Sequence, residues 1–302
     1  MRVGVIMGGT SSERDISLLT GKEILENLDK DKYEVAPILI NSKKELIEKT
    51  LEEKIDFAFL ALHGKFGEDG SAQAILEGLN IPYSGSGILA SSLCMDKDIS
   101  KRLMQSEGIN TAPWVTIRKN DEINYKALEE LGYPLVVKPA NGGSSIGTNI
   151  VKNSEGIIDA VLSAFDFDDE VMIEKYVTGK EITCSILDGK LLPIIEIKPS
   201  SEFFDYKSKY ADKGSDETII ELEASLEKVV REICIKCWNL FKCDIYGRID
   251  MIIENSKPYV LEINTLPGMT KNSLLPKSAK AVNMDFKSLL DNIIRASLKI
   301  NR

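Results

Sequence analysis

Residues 248–264 read RIDMIIENSKPYVLEIN, and this stretch decides how the chain is organised. Two runs of alternating apolar residues flank Asn255-Ser256-Lys257, a pattern that predicts a β-hairpin with a three-residue loop. With the loop centred on Ser256, four polar residues oppose one another in two pairs: Asp250 with Glu262, and Arg248 with Asn264.

These four residues are predicted to share one face of the sheet, because cross-strand partners point to the same side. The opposite, core-facing side would carry Ile249, Met251, Ile253, Tyr259, Leu261 and Ile263. Two opposed carboxylates repel unless a cation lies between them, and with the oxygen of Asn264 they form a ligand set suited to Mg²⁺ and substrate phosphates. The alternative is a solvated polar face on an edge hairpin. The segment 265–268, Thr-Leu-Pro-Gly, continues a strand poorly and favours the metal–phosphate site.

The composition is that of an ordinary globular protein with room for two or three domains: 302 residues, 43% hydrophobic and 28% charged. The net charge of -9 and the lack of a basic block argue against a nucleic-acid partner. No apolar run is long enough for a signal peptide or a membrane span, so we expect a cytoplasmic protein with no membrane partner. The Cys234–Cys237 pair lies within a helical pattern and is interpreted as core thiols rather than as a redox or zinc site.

The first 62 residues predict a βαβαβ unit with an open parallel sheet: strands 3–7, 33–40 and 57–62, and helices 17–28 and 44–54. Ligands of such sheets collect at the carboxyl ends of the strands, where loops 8–15 and 63–70 carry polar residues. Glu13 could bind a substrate ammonium group, or simply interact with a helix dipole. His63, the single histidine, could be structural or could lie near a substrate.

A second unit is predicted from residue 88 onward: helix 88–106, strand 114–117, helix 124–131, and strands 135–139 and 149–151. The loop 141–147, Asn-Gly-Gly-Ser-Ser-Ile-Gly, can bring backbone N–H groups close to phosphate oxygens. It also fits the G-x-S-x-G pattern of hydrolases, but no histidine follows residue 63. Gly85–Ala90 fits a dinucleotide motif weakly, because no convincing strand precedes it.

The remaining pattern predicts strand 171–177, a hinge at Thr178-Gly179, and a hairpin of 181–187 with 191–198. A long loop, 199–218, carries aromatic residues and lysines and is interpreted as a lid. Helices are expected over 224–242, 276–281 and 286–298.

Eight segments in order resemble D-alanine–D-alanine ligases, a family of ATP-grasp enzymes: 8–18, 61–70, 95–97, 136–147, 173–177, 203–210, 247–250 and 261–274. The resemblance implies a three-domain α/β architecture in which two α+β domains clasp the nucleotide. The expected domains are 1–87, 88–178 and 179–302. The family also implies ATP, two magnesium ions that manganese can replace, two molecules of D-alanine, and a homodimer.

The resemblance assigns the binding residues as follows. Lys97, Lys138 and Ser145 would contact phosphates, while Glu174, Lys175, Val177 and Glu181 would contact adenine and ribose. Phe203, Ile252 and Leu261 would form the apolar walls, although the hairpin register places Leu261 on the core side. Asp250, Glu262 and Asn264 would hold the metal ions.

The implied chemistry has two steps: a D-alanine carboxylate attacks the γ-phosphorus, and the amine of a second D-alanine then displaces phosphate. Arg248 and the N–H of Gly268 resemble the oxyanion donors, and Glu13, Ser144 and Tyr210 resemble the group around the first ammonium. His63, Lys209, Ser273 and Leu274 resemble substrate contacts.

Three alternatives remain open. Another ATP-grasp carboxylate–amine ligase, or a D-Ala–D-Ser or D-Ala–D-Lac ligase, would share the fold. Tyr210 resembles the dipeptide-forming branch, and Asn272 replaces the histidine of some members. A regulator that has lost catalysis would lack some of these lysines and acids. A NAD-dependent dehydrogenase would depend on the weak motif at 85–90.

Overall fold

The N-terminal part of the chain is a parallel sheet, as predicted. The computed structural model describes residues 1–199 and 215–302; the predicted lid residues Phe203, Lys209 and Tyr210 lie outside these ranges. Strands β1 (Arg2–Gly8), β2 (Glu34–Ile40) and β3 (Phe57–Leu60) pair in the order β2-β1-β3. Helices α1 (Arg14–Asn27), α2 (Lys43–Glu53) and α3 (Ser71–Gly78) accompany them. The βαβαβ prediction is therefore confirmed.

The loop after β1 leaves the sheet through Gly8, which has a φ of +96°. A Cβ at this position would lie 2.5 Å from the carbonyl oxygen of Ile40 on β2. Glycine is the residue that tolerates both conditions. The tight turn directs residues 9–13 over the carboxyl end of the sheet.

The prediction of a single helix over 88–106 is wrong, because the helix is interrupted at Asp96. Helix α4 (Ile88–Met95) ends there and helix α5 (Lys97–Ser106) begins. Asp96 is extended, and its carboxylate accepts a hydrogen bond from the Ile99 N–H at 2.9 Å. This side chain caps the new helix and satisfies one of its unpaired N–H groups. The break turns α5 so that Lys97 faces the loop at 140–142.

The middle of the chain forms an antiparallel sheet with the strand order β4-β7-β5-β6. Its strands are β4 (Trp114–Arg118), β5 (Leu135–Pro139), β6 (Asn149–Val151) and β7 (Glu170–Lys175). Helices α6 (Tyr125–Leu131) and α7 (Ile157–Phe165) lie beside it, with a 3₁₀ turn at Ser154–Gly156. The predicted hairpin around the glycine-rich loop is β5–β6.

The third sheet is antiparallel, with the order β11-β10-β8-β12-β13 and β9 paired to β8. Its strands are β8 (Lys180–Leu187), β9 (Lys190–Leu191), β10 (Ile195–Pro199), β11 (Ser215–Ile219), β12 (Tyr246–Glu254) and β13 (Lys257–Asn264). The predicted strand 191–198 is interrupted between β9 and β10. Helices α8 (Ala224–Leu240), α9 (Leu274–Lys280) and α10 (Phe286–Ser297) complete the described elements.

The β12–β13 hairpin has the predicted pairs but not the predicted loop. Asp250 pairs with Glu262, and Arg248 with Asn264. The loop has two residues, Asn255 and Ser256, both with positive φ; this geometry matches strand twist and is common in tight hairpins. The lost loop residue reappears as a β-bulge beside Asp250.

The predicted core face of β13 is wrong on the loop side of the bulge, because the bulge shifts the pairing by one residue. Beyond it, Met251 pairs with Val260 rather than with Leu261. Val260 is buried in the core, whereas Tyr259 and Leu261 are only half-buried and lie outside it. Leu261 is therefore half-buried outside the core, and the prediction that it lies on the core side is wrong.

Three hydrophobic clusters hold the chain together. The first joins the parallel sheet to helices α9 and α10, the second joins residues of α4 and α5 to the third sheet and α8, and the third lies within the middle sheet and its helices. The predicted limits 1–87, 88–178 and 179–302 remain a proposal, and the second cluster groups Cys94 and Met104 with the C-terminal sheet.

All five cysteines are free, buried and part of the second cluster, which confirms core thiols. In the described residues, no helix combines the length and apolar character needed to cross a membrane.

Candidate active site

One face of the third sheet, here called the acidic face, carries Arg248, Asp250, Glu262 and Asn264. Its residues form a network of charged and polar contacts. Arg248 donates two hydrogen bonds of 2.8 Å to Asp250, one to each carboxylate oxygen. On the neighbouring strand β8, Thr183 donates to Asp250 Oδ1 at 2.6 Å. Glu181 pairs with Ile252 on the same face. The arginine thus neutralises one of the two opposed carboxylates.

Lys97 links this acidic face to the glycine-rich loop. Its ammonium group lies 3.7 Å from Glu262 Oε2 and donates to the carbonyl oxygen of Gly142. The N–H of Lys97 also donates to Ala140 at 3.1 Å, so the start of α5 is tied to the start of the loop. The predicted phosphate-binding lysine, loop and metal ligands therefore lie side by side.

Glu174 on β7 is a buried acid held by two lysines. Lys101 Nζ lies 2.6 Å from Glu174 Oε2, and Lys138 donates to Oε1. Burial by itself would raise the pKa of Glu174, but the two ammonium groups outweigh it and lower that pKa to about 2. Next in the chain, the Lys175 side chain is exposed and Val177 is buried.

Lys101 contacts the predicted site residue Glu174, and the sequence analysis did not identify it. The available signal was its spacing from Lys97: residues i and i+4 of one helix lie on the same face. An isolated lysine in an amphipathic helix is usually solvated, so this spacing alone could not distinguish Lys101 from a surface residue.

The glycine-rich loop, residues 141–147, is held at its first residue and near its middle. Asp168 accepts hydrogen bonds from the N–H and side-chain amide of Asn141, at 2.7 and 3.1 Å. Ser144 donates to Glu13 Oε1 on the N-terminal loop. Ser144 and Ser145 both have positive φ values, near 55°, so the loop makes a sharp local turn. The loop thus meets the carboxyl end of the parallel sheet.

Glu13 and His63 lie together at that end of the parallel sheet. Glu13 occupies the N-cap position of α1 but caps it with no side-chain hydrogen bond. Burial, followed by the nearby Glu68 carboxylate, raises the pKa of Glu13. The His63 ring contacts Thr20 Oγ1 at 3.0 Å and Glu68 Oε1 at 3.3 Å. Thr20 was also missed by sequence reasoning.

The predicted substrate-binding residues Gly268, Ser273 and Leu274 lie in the segment that follows β13. Asn264 Oδ1 accepts a hydrogen bond from the Leu266 N–H at 3.0 Å. Ser273 lies at the N-cap of α9 and its hydroxyl accepts from the Thr270 N–H at 3.1 Å. A Cβ on Gly268 would lie 3.0 Å from this hydroxyl. Leu274 is half-buried and follows at once.

The donor set of the acidic face fits a magnesium ion bound together with phosphates. The described residues contain no group of three or more His, Cys, Asp or Glu that could hold a metal by themselves. Two carboxylates and an amide oxygen are hard donors, and Mg²⁺ often takes its remaining ligands from phosphates and water. Within the described contacts Asp250 Oδ2 accepts only the Arg248 bond, which leaves it acceptor capacity.

Two family models cover the chain: the D-ala D-ala ligase N-terminus matches residues 2–52 and 42–86, and the D-ala D-ala ligase C-terminus matches residues 103–295. The chain belongs to the D-alanine–D-alanine ligase family. A D-alanine–D-alanine ligase of Clostridium beijerinckii is 56% identical over 303 residues, covering 100% of both chains.

Solved structures of this family agree with the fold. The D-alanine–D-alanine ligase from Bacillus anthracis complexed with ATP has a TM-score of 0.90 and 50% identity, covering 99% of this chain and 98% of its own. The VanG D-Ala:D-Ser ligase from Enterococcus faecalis has a TM-score of 0.83 and 31% identity, covering 98% and 99%. The predicted α/β ATP-grasp fold is confirmed.

Proposed function

We propose that this chain is an ATP-dependent ligase that joins two D-alanines into D-alanyl-D-alanine through an acyl phosphate, for peptidoglycan synthesis. One observation carries the proposal: in a chain that matches a family member over that relative's whole length, Lys97 brings the glycine-rich loop against the acidic face that contains Glu262. The nucleotide phosphates would lie between them. Adenine would lie beside Glu174, with Ile252 and Leu261 as apolar walls and Glu181 at the ribose.

The residues of the acidic face would bind the phosphates and align the reaction. Asp250, Glu262 and Asn264 would hold Mg²⁺, two ions by family resemblance, with Mn²⁺ as a substitute. When bound, the metal would offset negative charge on the phosphates. Lys97 and Lys138 would contribute positive charge, and Ser145 and its neighbours would contribute loop N–H groups. Positioning and charge stabilisation supply most of the catalysis in phosphoryl transfer.

The substrates would lie between this face and the parallel sheet. Glu13, positioned by Ser144, would receive the ammonium group of the first D-alanine, with His63 close by. Arg248 and the Gly268 N–H would stabilise the oxyanion that forms when the second amine attacks the acyl carbon. Ser273 and Leu274 would bind the second carboxylate. Lys209 and Tyr210, from outside the described residues, would complete this pocket by resemblance alone.

An acceptor screen with coupled ADP detection tests this proposal. Purified enzyme is supplied with ATP, Mg²⁺ and D-alanine, D-serine or D-lactate as acceptor, and the dipeptide is identified by mass. We expect ADP release that requires D-alanine and Mg²⁺. Faster turnover with D-serine would support instead the activity in the name of the Enterococcus faecalis neighbour. D-lactate use that persists at low pH would indicate a depsipeptide ligase, because an amine must lose its proton before it attacks.

Substitution of one acid tests the metal site separately. Asp250→Ala should lower kcat by about 10²-fold or more, the loss typical of removing a key charge-stabilising group. The matched control is Glu254→Gln, on the same strand, whose carboxylate accepts hydrogen bonds only from Thr178 among the described residues. Unchanged activity in Asp250→Ala would end the assignment of the metal ligands.

We also propose that the enzyme works in the cytoplasm, where ATP is available, and that it is a homodimer like other family members. Light scattering on the purified protein would measure its mass. A monomer at enzyme concentrations that support turnover would reject the dimer.

A further inference from the structure

Lys101 is the most deeply buried lysine among the described residues, with 1% of its surface exposed. Its ammonium group lies 2.6 Å from Glu174 Oε2, a pair that joins helix α5 to strand β7. Burying a charge is costly unless it is paired. A lysine in such a place therefore needs an explanation beyond solubility.

The surroundings of Lys101 hold it in place. Its ammonium group lies 5.1 Å from the centre of the Trp114 ring. Trp114 pairs with Glu174 across β4–β7, and its indole N–H donates to Asp98 on the same helix as Lys101, at 2.7 Å. Lys101 is therefore enclosed by an acid, a ring and its own helix. It cannot extend toward a phosphate as Lys97 and Lys138 are proposed to do.

The two oxygens of Glu174 are each held by a different lysine, Lys101 on Oε2 and Lys138 on Oε1. If Lys138 turns toward the phosphates of a bound nucleotide, Lys101 remains as the cation that fixes the carboxylate. Each carboxylate oxygen has two lone pairs, so each oxygen of Glu174 can accept a second hydrogen bond.

We propose that Lys101 is a positioning residue that keeps the Glu174 carboxylate oriented as a pure hydrogen-bond acceptor, and that it thereby selects 6-amino purine nucleotides over 6-oxo purine nucleotides. The inference rests on the proposed function, in which Glu174 receives the adenine amino group. An ionised carboxylate has no proton to donate. It therefore pairs with the amine of adenine but faces the 6-oxygen of hypoxanthine or guanine as a second acceptor.

An acceptor buried against an acceptor leaves two polar groups unpaired, and a site built for a hydrogen bond rejects an analogue that cannot form it. Without Lys101 the carboxylate would be less constrained and would take up a proton more readily. A protonated carboxyl group can donate to a 6-oxo purine. The low pKa of Glu174, produced by Lys101 and Lys138 against the effect of burial, supports this reasoning.

The test measures release of the nucleoside diphosphate in the presence of D-alanine and compares three nucleotides. These are ATP, ITP, and purine riboside triphosphate, which has no amino or oxo group at position 6. For the wild type we expect kcat/KM to favour ATP over ITP by about 10²-fold. Lys101→Met should lower kcat/KM for ATP by about tenfold or more, mainly through KM. Lys101→Met should change kcat/KM for purine riboside triphosphate by no more than about threefold. The ratio of kcat/KM for ATP to kcat/KM for ITP should therefore fall.

Lys101→Arg keeps the charge and should restore most of the ratio. Lys126→Met, which removes an exposed lysine from helix α6, is the matched control and should leave all three values unchanged. Equal losses with all three nucleotides in Lys101→Met would mean that Lys101 is merely structural and would overturn the inference.

A measurement on the wild type decides the matter even if Lys101→Met does not fold. The ATP-to-ITP ratio should stay constant from pH 5.5 to 8, because Glu174, facing Lys101 and Lys138, stays ionised throughout. Lack of discrimination, or increasing use of ITP as the pH falls, would overturn the inference. A wild type that shows no D-alanine-dependent turnover with any nucleotide would instead reject the proposed function.

Discussion

Replacing Glu174 by Gln should destabilise the protein by about 3 kcal/mol. The acid has an ordinary pKa of 4.5 and a pKa of about 2 in the folded protein. That difference corresponds to about 3 kcal/mol at neutral pH, at about 1.4 kcal/mol for each tenfold change. Breaking a buried ion pair by removing one partner typically costs about 3–5 kcal/mol, which agrees. The loss arises because Lys101 remains buried without a carboxylate.

The assay is urea unfolding followed by tryptophan fluorescence. The chain has two tryptophans, Trp114 and Trp238. In a Trp238→Phe background, the signal comes from Trp114, the cross-strand partner of Glu174. The control is Glu170→Gln on the same strand, whose carboxylate pairs with the exposed Arg118 at 3.5 Å. Such surface pairs contribute about 0–1 kcal/mol, so the control should differ little from the wild type.

The pH dependence of this difference follows from the sign of the shift. The folded-state pKa of Glu174 is below its unfolded value, so its stabilising contribution is complete above about pH 4.5 and is lost as the pH falls through about 2. The difference between wild type and Glu174→Gln at pH 7 should therefore have its full value. A difference below about 1 kcal/mol at that pH would refute the assignment of a buried, doubly paired carboxylate.

Three further predictions concern other parts of the molecule. Ser256→Gly should raise the free energy of unfolding by about 0.5–1 kcal/mol, because glycine adopts the positive φ at this loop position without strain; a loss of stability in urea unfolding would contradict the two-residue turn. Glu68→Gln removes a carboxylate that raises the pKa of Glu13, so the acid limb of kcat/KM for D-alanine should move to lower pH; a shift to higher pH would argue against Glu13 as the titrating group. The five thiols should react with iodoacetamide only after unfolding, because all are buried; rapid labelling of the native enzyme, counted by mass spectrometry, would show that the core opens.

The β12–β13 hairpin shows how far alternation of apolar residues can determine geometry. Alternation decides which residues share a face, and it placed Asp250 opposite Glu262 correctly. It does not determine how the chain turns. The predicted loop was one residue too long, and the β-bulge compensates for that residue, so the pairs nearest the site were right and those nearest the loop were wrong. A bulge leaves no signal in the period of the sequence.

The helix break at Asp96 is a second case of this kind. The apolar pattern runs through residues 88–106 without a Gly or Pro to stop it. The N-capping side chain of Asp96 and the contact of Lys97 with Ala140 decide the break, and the second contact comes from a segment distant in sequence. Family resemblance assigned Lys97, Lys138 and Glu174 as site residues, but no local pattern indicates that Glu174 lies between two lysines.

The sequence alone determined the parallel N-terminal sheet, the buried thiols, the acidic face of the hairpin and the family, because each depends on residues close together in the chain or on ordered motifs. Only the tertiary structure decided that Lys101 pairs with Glu174, and that Tyr33 donates a 2.6 Å hydrogen bond to Asp291, which lies 258 positions away. The last helix packs on the first sheet through the apolar residues of the first cluster. The reason is physical: local periodicity sets which side of an element is apolar, whereas the identity of its partner depends on which surfaces fit together once the whole chain is packed.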